Sequence, residues 1–157
     1  MSGFRRRWML RLLRLYPPYL GAGVRVVEAA ADRRTFAVEM RLRWWNRNYV
    51  GTHFGGSLYS MCDPFFMLIL IEGLGPGYVV WDKAATIRFR RPSRGTVRAR
   101  FHLPAEEILA VRRAADAAGK VERVYAVEVV DEDGEVIAEV EKTLHVRRRD
   151  PGGAGGR

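Results

Sequence analysis

Apolar and polar residues alternate along several stretches of the chain, which is the pattern of a strand with one buried face. The alternation is clearest in residues 35–42 and 96–103. The positions predicted to face inward are Phe36, Val38, Met40 and Leu42 in the first stretch and Val97, Ala99, Phe101 and Leu103 in the second. Strand character is also present in residues 24–29, 78–91, 120–130 and 135–147. An Asp-Gly turn separates the last two, which predicts a hairpin.

Three segments have helical patterns instead. Residues 56–73 are apolar on nearly every side, which indicates a helix that is buried all round. Residues 104–118 form a second predicted helix, with Pro104 near its start. Residues 4–16 carry apolar side chains at helical spacing among arginines, and Pro17-Pro18 are expected to end this helix.

The order of these elements predicts an α+β fold in which an antiparallel sheet wraps around one long central helix. We divide the chain into an N-terminal amphipathic helix (residues 1–20), a main domain (residues 21–149) and a Gly-rich tail (residues 150–157) that is expected to be disordered. The N-terminal helix is basic and carries a tryptophan, as membrane-surface helices do. Its length of about three turns favours a helix that covers a sheet edge.

Charge and cysteine content narrow the classes of function. The 157 residues include 27 basic and 18 acidic side chains, a net charge of +9, which reflects either a GC-rich genome or attraction to a polyanion such as coenzyme A. Arginines are not interleaved with aromatics in a nucleic-acid motif, so no nucleic-acid partner is expected. Cys62 is the only cysteine, which excludes an internal disulfide. The uninterrupted apolar run at 64–71 is too short to cross a bilayer, so we expect a cytoplasmic protein without integral membrane contact.

The richest chemistry lies in residues 48–63, where a polar turn with two glycines leads into the apolar helix. Gly55 and Gly56 allow a ligand to approach the backbone, and a helix that starts there would point free N–H groups at it. Asp63 follows about two turns later, beside apolar residues. An isolated carboxylate is costly to bury there without a partner, so Asp63 is the leading candidate for a functional residue.

The residues Asn48, Gly51, Gly55, Gly56 and Asp63 follow the pattern of a known family. Together with the order of the elements and the segment W-D-K-A at 81–84, they resemble the PaaI-like acyl-CoA thioesterases of the hotdog superfamily, and most closely an uncharacterised branch of it. The resemblance covers about residues 24–147. It implies the hotdog fold, assembly as a homodimer or homotetramer, and hydrolysis of an acyl-CoA thioester with coenzyme A only as part of the substrate.

The resemblance also implies roles for single residues. Asp63 would activate water or attack the carbonyl, the N–H groups of Gly55 and Gly56 would form an oxyanion hole, and Asn48 would orient water or the carbonyl. The residues expected to bind substrate are His53, Phe54, Tyr59, Phe66, Asp82, Lys83, Arg90 and Arg91. Adjacent strand residues point to opposite faces, so only one of Asp82 and Lys83 can face the site unless a bulge intervenes.

Each of these assignments has a structural alternative. Asp63-Pro64 also reads as a helix N-cap and first helical position, with a break near Cys62. The glycines would also suit tight packing, Asn48 would also suit a turn that bonds its own backbone, and the arginines would also suit a solvated strand face. Phe54 occupies the position of the family's histidine, and His53 sits one place earlier. Cys62 has no activating partner in the sequence and is interpreted as packing.

Two other functions compete with thioester hydrolysis. A hotdog protein that binds an acyl or lipid-like ligand without turning it over would explain the displaced histidine and the Asp63-Pro64 pair. Hydration or dehydration of acyl-CoA is less favoured, because the motif Asp-x-Asn-x-x-His that accompanies it is not in this chain. The histidines, carboxylates and cysteine are not spaced like metal ligands, so no metal site is expected.

Overall fold

The computed structural model of the protein describes residues 15–149. The predicted N-terminal helix falls almost entirely on residues 1–14 and the predicted tail on residues 150–157, so both lie outside the described residues. The helices are α1 (Pro17–Ala22), α2 (Gly55–Ser60), α3 (Phe65–Leu74) and α4 (Ala105–Ala118). The strands are β1 (Val24–Ala29), β2 (Thr35–Arg41), β3 (Tyr78–Phe89), β4 (Thr96–His102), β5 (Lys120–Val130) and β6 (Val136–Arg148). The six predicted strands are confirmed, with boundaries that differ by at most two residues.

All six strands form one antiparallel sheet in the order β1-β2-β4-β5-β6-β3. One face of the sheet packs against α3 and α4, and the predicted period-two pattern identifies that face correctly. Its side chains Phe36, Val38, Met40, Val97, Ala99, Phe101 and Leu103 are buried. Strand β3 lies at one end of the sheet, so its outer backbone edge has no neighbouring strand among residues 15–149.

The central helix is present but broken in two. Helix α2 ends at Ser60 and α3 begins at Phe65, with residues 61–64 between them. The break follows from Pro64, which has no N–H to donate to the preceding turn. The anticipated break near Cys62 is therefore confirmed, and the central helix predicted over residues 56–73 is present as two consecutive segments, α2 and α3. The stretch from Gly55 to Leu74 is long and apolar enough to cross a membrane by length and composition alone. Here half of it is buried within the fold, as in a core helix.

Helix α1 was not predicted. Pro17 and Pro18 were expected to end a helix, but they occupy the first turn of this one, where the missing N–H costs nothing. Gly23 ends the helix in a left-handed conformation at φ 77°. A Cβ at Gly23 would also lie 2.8 Å from Nδ2 of Asn46, so both the backbone and the close approach require glycine. Asn46 is buried and joins the end of α1 to the segment after β2.

Candidate functional site

The predicted glycine turn stands at the start of a helix, as expected. Helix α2 begins at Gly55, so the N–H groups of Gly55 and Gly56 lie in its first turn and have no partner within the helix. A cavity of about 370 Å³ adjoins this end of the helix. Its lining residues are Asn48, Thr52, His53, Gly55, Leu58, Phe89, Arg90, Arg91, Pro92 and Ser93.

Gly55 is in close contact with an aromatic ring. A Cβ added at Gly55 would lie 2.8 Å from Cζ of Phe89, which extends from the end of β3 over the start of α2. Gly56 is similarly crowded by the ring of Phe54, at 2.5 Å. Both glycines therefore pack tightly against aromatic rings, as the structural alternative expected. Their N–H groups still lie at the N-terminus of α2.

Asn48 is used entirely within its own turn. Its Oδ1 accepts hydrogen bonds from the backbone N–H groups of Val50 (3.1 Å) and Thr52 (2.9 Å). Its Nδ2 donates to Oγ1 of Thr52 at 2.8 Å and to the carbonyl of His53 at 3.2 Å. An amide has two donors and two acceptor lone pairs, so its capacity is filled. The geometry favours the turn interpretation of Asn48 over a direct contact with water or a carbonyl.

His53 is buried and joins two loops. Its Nε2 lies 3.0 Å from the carbonyl of Gly95, so Nε2 carries the proton and Nδ1 is the lone-pair nitrogen. Nδ1 is buried and has no hydrogen-bond partner within residues 15–149. Burial lowers the pKa of this imidazole, and the bond to Gly95 opposes that shift only in part. His53 is therefore a neutral side chain in the cavity wall, where it joins two loops.

The two arginines predicted to bind substrate line the cavity but already have partners. Arg90 donates to Glu139 through Nε (3.0 Å) and Nη2 (2.7 Å), and Arg91 lies 2.6 Å from Glu135. Arg90, Arg91 and Glu135 are exposed to solvent over half or more of their side chains, and Glu139 over about a third. Exposed ion pairs contribute only about 0–1 kcal/mol each, so a phosphate group can compete with either glutamate.

Asp63 contacts a buried cation. Its Oδ1 accepts a hydrogen bond from Nζ of Lys142 at 2.7 Å and from the hydroxyl of Tyr59 at 2.8 Å. Nζ of Lys142 also donates to the Tyr59 hydroxyl at 3.0 Å, which closes a triangle of hydrogen bonds. The N-cap position of α3 is held by Pro64 without a side-chain cap bond. The side chain of Asp63 thus serves this triangle and not the cap of α3.

Asp82 is the second carboxylate on the same cation. Its Oδ2 lies 3.1 Å from Nζ of Lys142, which is 0% exposed, while the Asp63 side chain is 49% exposed and that of Asp82 is 23% exposed. We call Tyr59, Asp63, Asp82 and Lys142 the lysine cluster. Asp82 reaches it because it lies on the same face of β3 as the buried Val80 and pairs with Leu144. A bulge follows directly: Ala84 pairs with Thr143, so Lys83 is the extra residue.

Lys83 lies on the other face of the sheet, where its Nζ contacts Glu122 at 2.5 Å. The expectation that only one of the adjacent pair can face the site is confirmed, and that residue is Asp82. The substrate role expected for Lys83 finds no support here, since the strand turns its side chain away from α2 and α3.

Burial sets the protonation preferences in the lysine cluster. Desolvation raises the pKa of Asp82, although the Lys142 charge opposes it. Desolvation alone would lower the pKa of Lys142, but the hydrogen bonds to Asp63 and Tyr59 and the two carboxylate charges reverse this, and the net pKa is raised. Burial also raises the pKa of the Tyr59 hydroxyl and raises that of the adjacent Cys62 thiol to about 12. Cys62 is therefore a buried, protonated packing residue, as interpreted from the sequence.

The three aromatic residues expected beside an acyl chain occupy different environments. Phe54 is exposed at the start of α2, and Tyr59 directs its hydroxyl into the lysine cluster. Phe66 is buried, with ring contacts to Phe101 at 5.3 Å and Tyr125 at 5.2 Å between centroids. This position supports a packing role for Phe66 in the core, because α3 turns the side chain towards the sheet.

Lys142 was missed in the sequence, although the pattern of β6 contains a signal for it. Val140, Leu144 and Val146 occupy alternate positions on the buried face, and Lys142 continues their period. A lysine in the apolar phase of a strand needs a counter-ion when it is buried. In the described part of the chain no three His, Cys, Asp or Glu side chains come together as a metal site.

Comparison with known proteins establishes the family and the fold. The chain matches the family DUF4442, a domain of unknown function, over residues 5–146 and belongs to it. No curated protein matches the chain. Among solved structures, it is similar to a protein of unknown function from Pseudomonas aeruginosa described as a probable thioesterase, with 23% identity and a TM-score of 0.82 over 92% of this chain and 96% of that one.

Two further structures are similar at greater distance. A thioesterase from Haemophilus influenzae is 15% identical, with a TM-score of 0.65 over 89% of this chain and 88% of that one. A variant of the phenylacetic acid degradation protein PaaI from Thermus thermophilus is 24% identical, with a TM-score of 0.56 over 82% of this chain and 97% of that one. The predicted α+β hotdog fold is therefore confirmed.

Proposed function

We propose that this protein hydrolyses acyl-CoA thioesters and that Asp63 takes the proton from the attacking water. One observation carries the proposal: a half-exposed carboxylate has one oxygen fixed by a buried lysine and a tyrosine on a thioesterase-like hotdog fold. Both hydrogen bonds end on Oδ1, which leaves Oδ2 of Asp63 to accept a proton. A general base needs this combination of fixed orientation and a free lone pair. Direct attack by the carboxylate would use the same oxygen.

The start of α2 would stabilise the oxyanion. The N–H groups of Gly55 and Gly56 lack partners within the helix and carry the partial positive charge of its N-terminus. One well-placed donor of this kind contributes about a hundredfold in rate. Asn48 would then shape the turn that presents these groups, since its own side chain has no free hydrogen-bonding position. Asn48 would thus act on the substrate through the turn, without touching it.

A second copy of the chain would complete the site. The cavity at Gly55 is lined by the glycine turn and the end of β3, and Asp63 is not among its lining residues. Strand β3 has a free backbone edge that carries both Asp82 and, near its end, Phe89. Pairing of two β3 edges in a homodimer would cover this edge and give each glycine turn a carboxylate from the other subunit. Arg90 and Arg91 would hold the phosphates of coenzyme A at the mouth of the cavity.

A second candidate function is the binding of an acyl or lipid-like ligand without turnover. The observations that favour it are the neutral, buried His53 and the fully occupied Asn48, because both remove polar groups that a catalytic site could use. In this function the lysine cluster would be a structural ion pair, and the variant Asp63→Asn would bind acyl-CoA as well as the wild type does.

The deciding experiment measures thiol release from short, medium, long and aromatic acyl-CoAs by wild type and Asp63→Asn. The matched control is Asp133→Asn in the exposed β5–β6 turn, which makes the same chemical change away from the site. We expect hydrolysis by wild type and control, and a loss of at least about a hundredfold in kcat for Asp63→Asn. Equal rates for Asp63→Asn and wild type would overturn the role of Asp63. No release from any substrate, together with tight acyl-CoA binding, would overturn hydrolysis and support the binding function.

A further inference from the structure

Lys142 is a fully buried ammonium with two carboxylates around it. It lies on β6 between Val140 and Leu144 on the face that packs against the helices, and its Nζ contacts both Asp63 and Asp82. One counter-ion suffices to neutralise one lysine, and a second buried carboxylate costs desolvation energy. The second carboxylate is also poorly satisfied, since Oδ1 of Asp82 is buried without a hydrogen-bond partner in residues 15–149. A purely structural ion pair would not need it.

The surroundings of the lysine cluster contain no other charge close to Lys142 within residues 15–149. From α2 and the following turn come Tyr59, Cys62 and Asp63, and from β3 comes Asp82. On β5, Tyr125 stands opposite Lys142, but its hydroxyl donates to Glu107 of α4 at 2.8 Å. On α1, the ring of Tyr19 faces the same region, and burial, followed by the charge of Asp63, raises the pKa of its hydroxyl. These hydroxyls and the thiol have raised pKa values, so they remain protonated near neutral pH. The two carboxylates and the ammonium are the charges that matter.

We propose that Lys142 is a positioning residue that holds Asp63 for proton transfer, and that Asp82 is the counter-ion that remains with Lys142 when Asp63 takes the proton. This inference rests on the proposed function. With Asp63 alone, protonation would leave a buried ammonium without a counter-ion, which is strongly unfavourable. With Asp82 present, Lys142 stays paired throughout, so Asp63 can gain and lose a proton at a lower cost.

The proton and electron balance of the step is closed within the site. An O–H bond of water breaks, its proton goes to Oδ2 of Asp63, and the hydroxide oxygen bonds to the thioester carbonyl carbon. When the C–S bond breaks, sulfur leaves with the electron pair and takes the proton from Asp63 as the thiol forms. Asp63 is then ionised again, and Lys142 has kept its proton. Neither Asp82 nor Lys142 exchanges a proton in the cycle.

The two outer members of the lysine cluster should shift the pH profile in opposite directions. In Asp82→Asn, Asp63 becomes the sole counter-ion of Lys142, so the acid limb of kcat/KM moves to lower pH while kcat falls. In Lys142→Met, two carboxylates face each other without a cation, and the acid limb moves to higher pH. A merely structural cluster would lower activity in both variants without moving the limbs apart. Shifts in the same direction, or none, would overturn the proposal.

A second readout does not depend on activity. In protein labelled with ¹³C at aspartate, the carboxyl signal of Asp82 is followed against pH in wild type, Asp63→Asn and Lys142→Met. We expect a lower pKa of Asp82 in Asp63→Asn, which gives Asp82 the lysine to itself, and a higher one in Lys142→Met. An unchanged pKa of Asp82 in Asp63→Asn would overturn the shared counter-ion, even if Lys142→Met fails to fold.

The two readouts separate failure of this inference from failure of the proposed function. If wild type hydrolyses no thioester but the Asp82 signal shifts as expected, the lysine is shared and the proton-transfer role is overturned together with the proposed function. If wild type is active, Asp63→Asn is inactive and Asp82→Asn leaves the acid limb in place, the proposed function stands and the role of Asp82 is overturned.

Discussion

Replacement of Lys142 by methionine should destabilise the protein in a pH-dependent way. Methionine keeps much of the length and apolar volume of the lysine stem, so the main loss is the ammonium and its contacts at 2.7 Å with Asp63 and 3.1 Å with Asp82. Breaking a buried ion pair on one side costs about 3–5 kcal/mol, because the other charge is left without a partner. Asp63 is half exposed and regains water, whereas Asp82 has one buried oxygen that already lacks a hydrogen-bond partner among residues 15–149. We therefore expect a loss of about 3 kcal/mol at pH 7.

The sign of the pH dependence follows from the carboxylates. Burial already raises the pKa of Asp82, and without the opposing Lys142 charge it rises further, so the fold binds more protons than the unfolded chain does. The stability of the variant then falls as pH rises above about 4, the range in which unfolded aspartates lose their protons. The difference from wild type should be largest at pH 7 and should shrink towards pH 4.

Urea denaturation followed by circular dichroism at pH 4, 5.5 and 7 tests this prediction. A loss of about 3 kcal/mol at pH 7 corresponds to a midpoint lower by about 1–2 M urea. The variant Asp82→Asn serves as the matched control, because it removes the carboxylate whose pKa is raised by burial and should be at least as stable as wild type at pH 7. A Lys142→Met protein as stable as wild type at pH 7, or equally destabilised at all three pH values, would refute the electrostatic reasoning.

Two further predictions concern the turn and the loop that surround the site. Asn46→Ala should lower the free energy of unfolding, measured by urea denaturation, by about 2–3 kcal/mol. The reason is that the amide of Asn46 is only 2% exposed and hydrogen-bonds the backbone of residues 22, 41 and 43 at 2.7–3.0 Å. A change below about 0.5 kcal/mol would contradict that role. Gly55→Ala should lower thioester hydrolysis by pushing the Phe89 ring away from the helix start, and Phe89→Ala in the same chain should restore part of the rate by removing the clash. Equal activity of Gly55→Ala and wild type would show that the start of α2 does not approach the substrate.

Local patterns were enough to predict most of the secondary structure. The period of two in residues 35–42 and 96–103 reports which side of a strand is buried, because successive side chains point to opposite faces. The pair Asp63-Pro64 also predicted the break in the central helix, because proline has no N–H to donate a hydrogen bond to the preceding turn. Helix α1 was not predicted, because a pair of prolines can either end a helix or occupy the first turn of another one. The neighbouring residues decide between these two outcomes.

In the candidate site, too, the residues with a local signal were predictable and their long-range partners were not. Asp63 and the start of α2 at Gly55 were identified from the sequence, because a carboxylate among apolar residues and a glycine pair before a helix are both local signals. Lys142 meets Asp63 across 79 positions of sequence, and only the pairing of β6 in the sheet and the packing of the helices bring them together. The pairing of β3 with β6 and the alternation of side chains along β3 bring Asp82 to the same side.

The sequence by itself therefore determined most of the elements and their buried faces, and it nominated Asp63 as the candidate for chemistry. The tertiary structure decided the partners: Lys142 for Asp63 and Asp82, the turn for Asn48, and the core for Phe66. The reason is physical, since periodicity reports the face on which a side chain lies but not what lies across from it. Strand register and helix packing decide which residues lie across from each other, and both are properties of the whole chain.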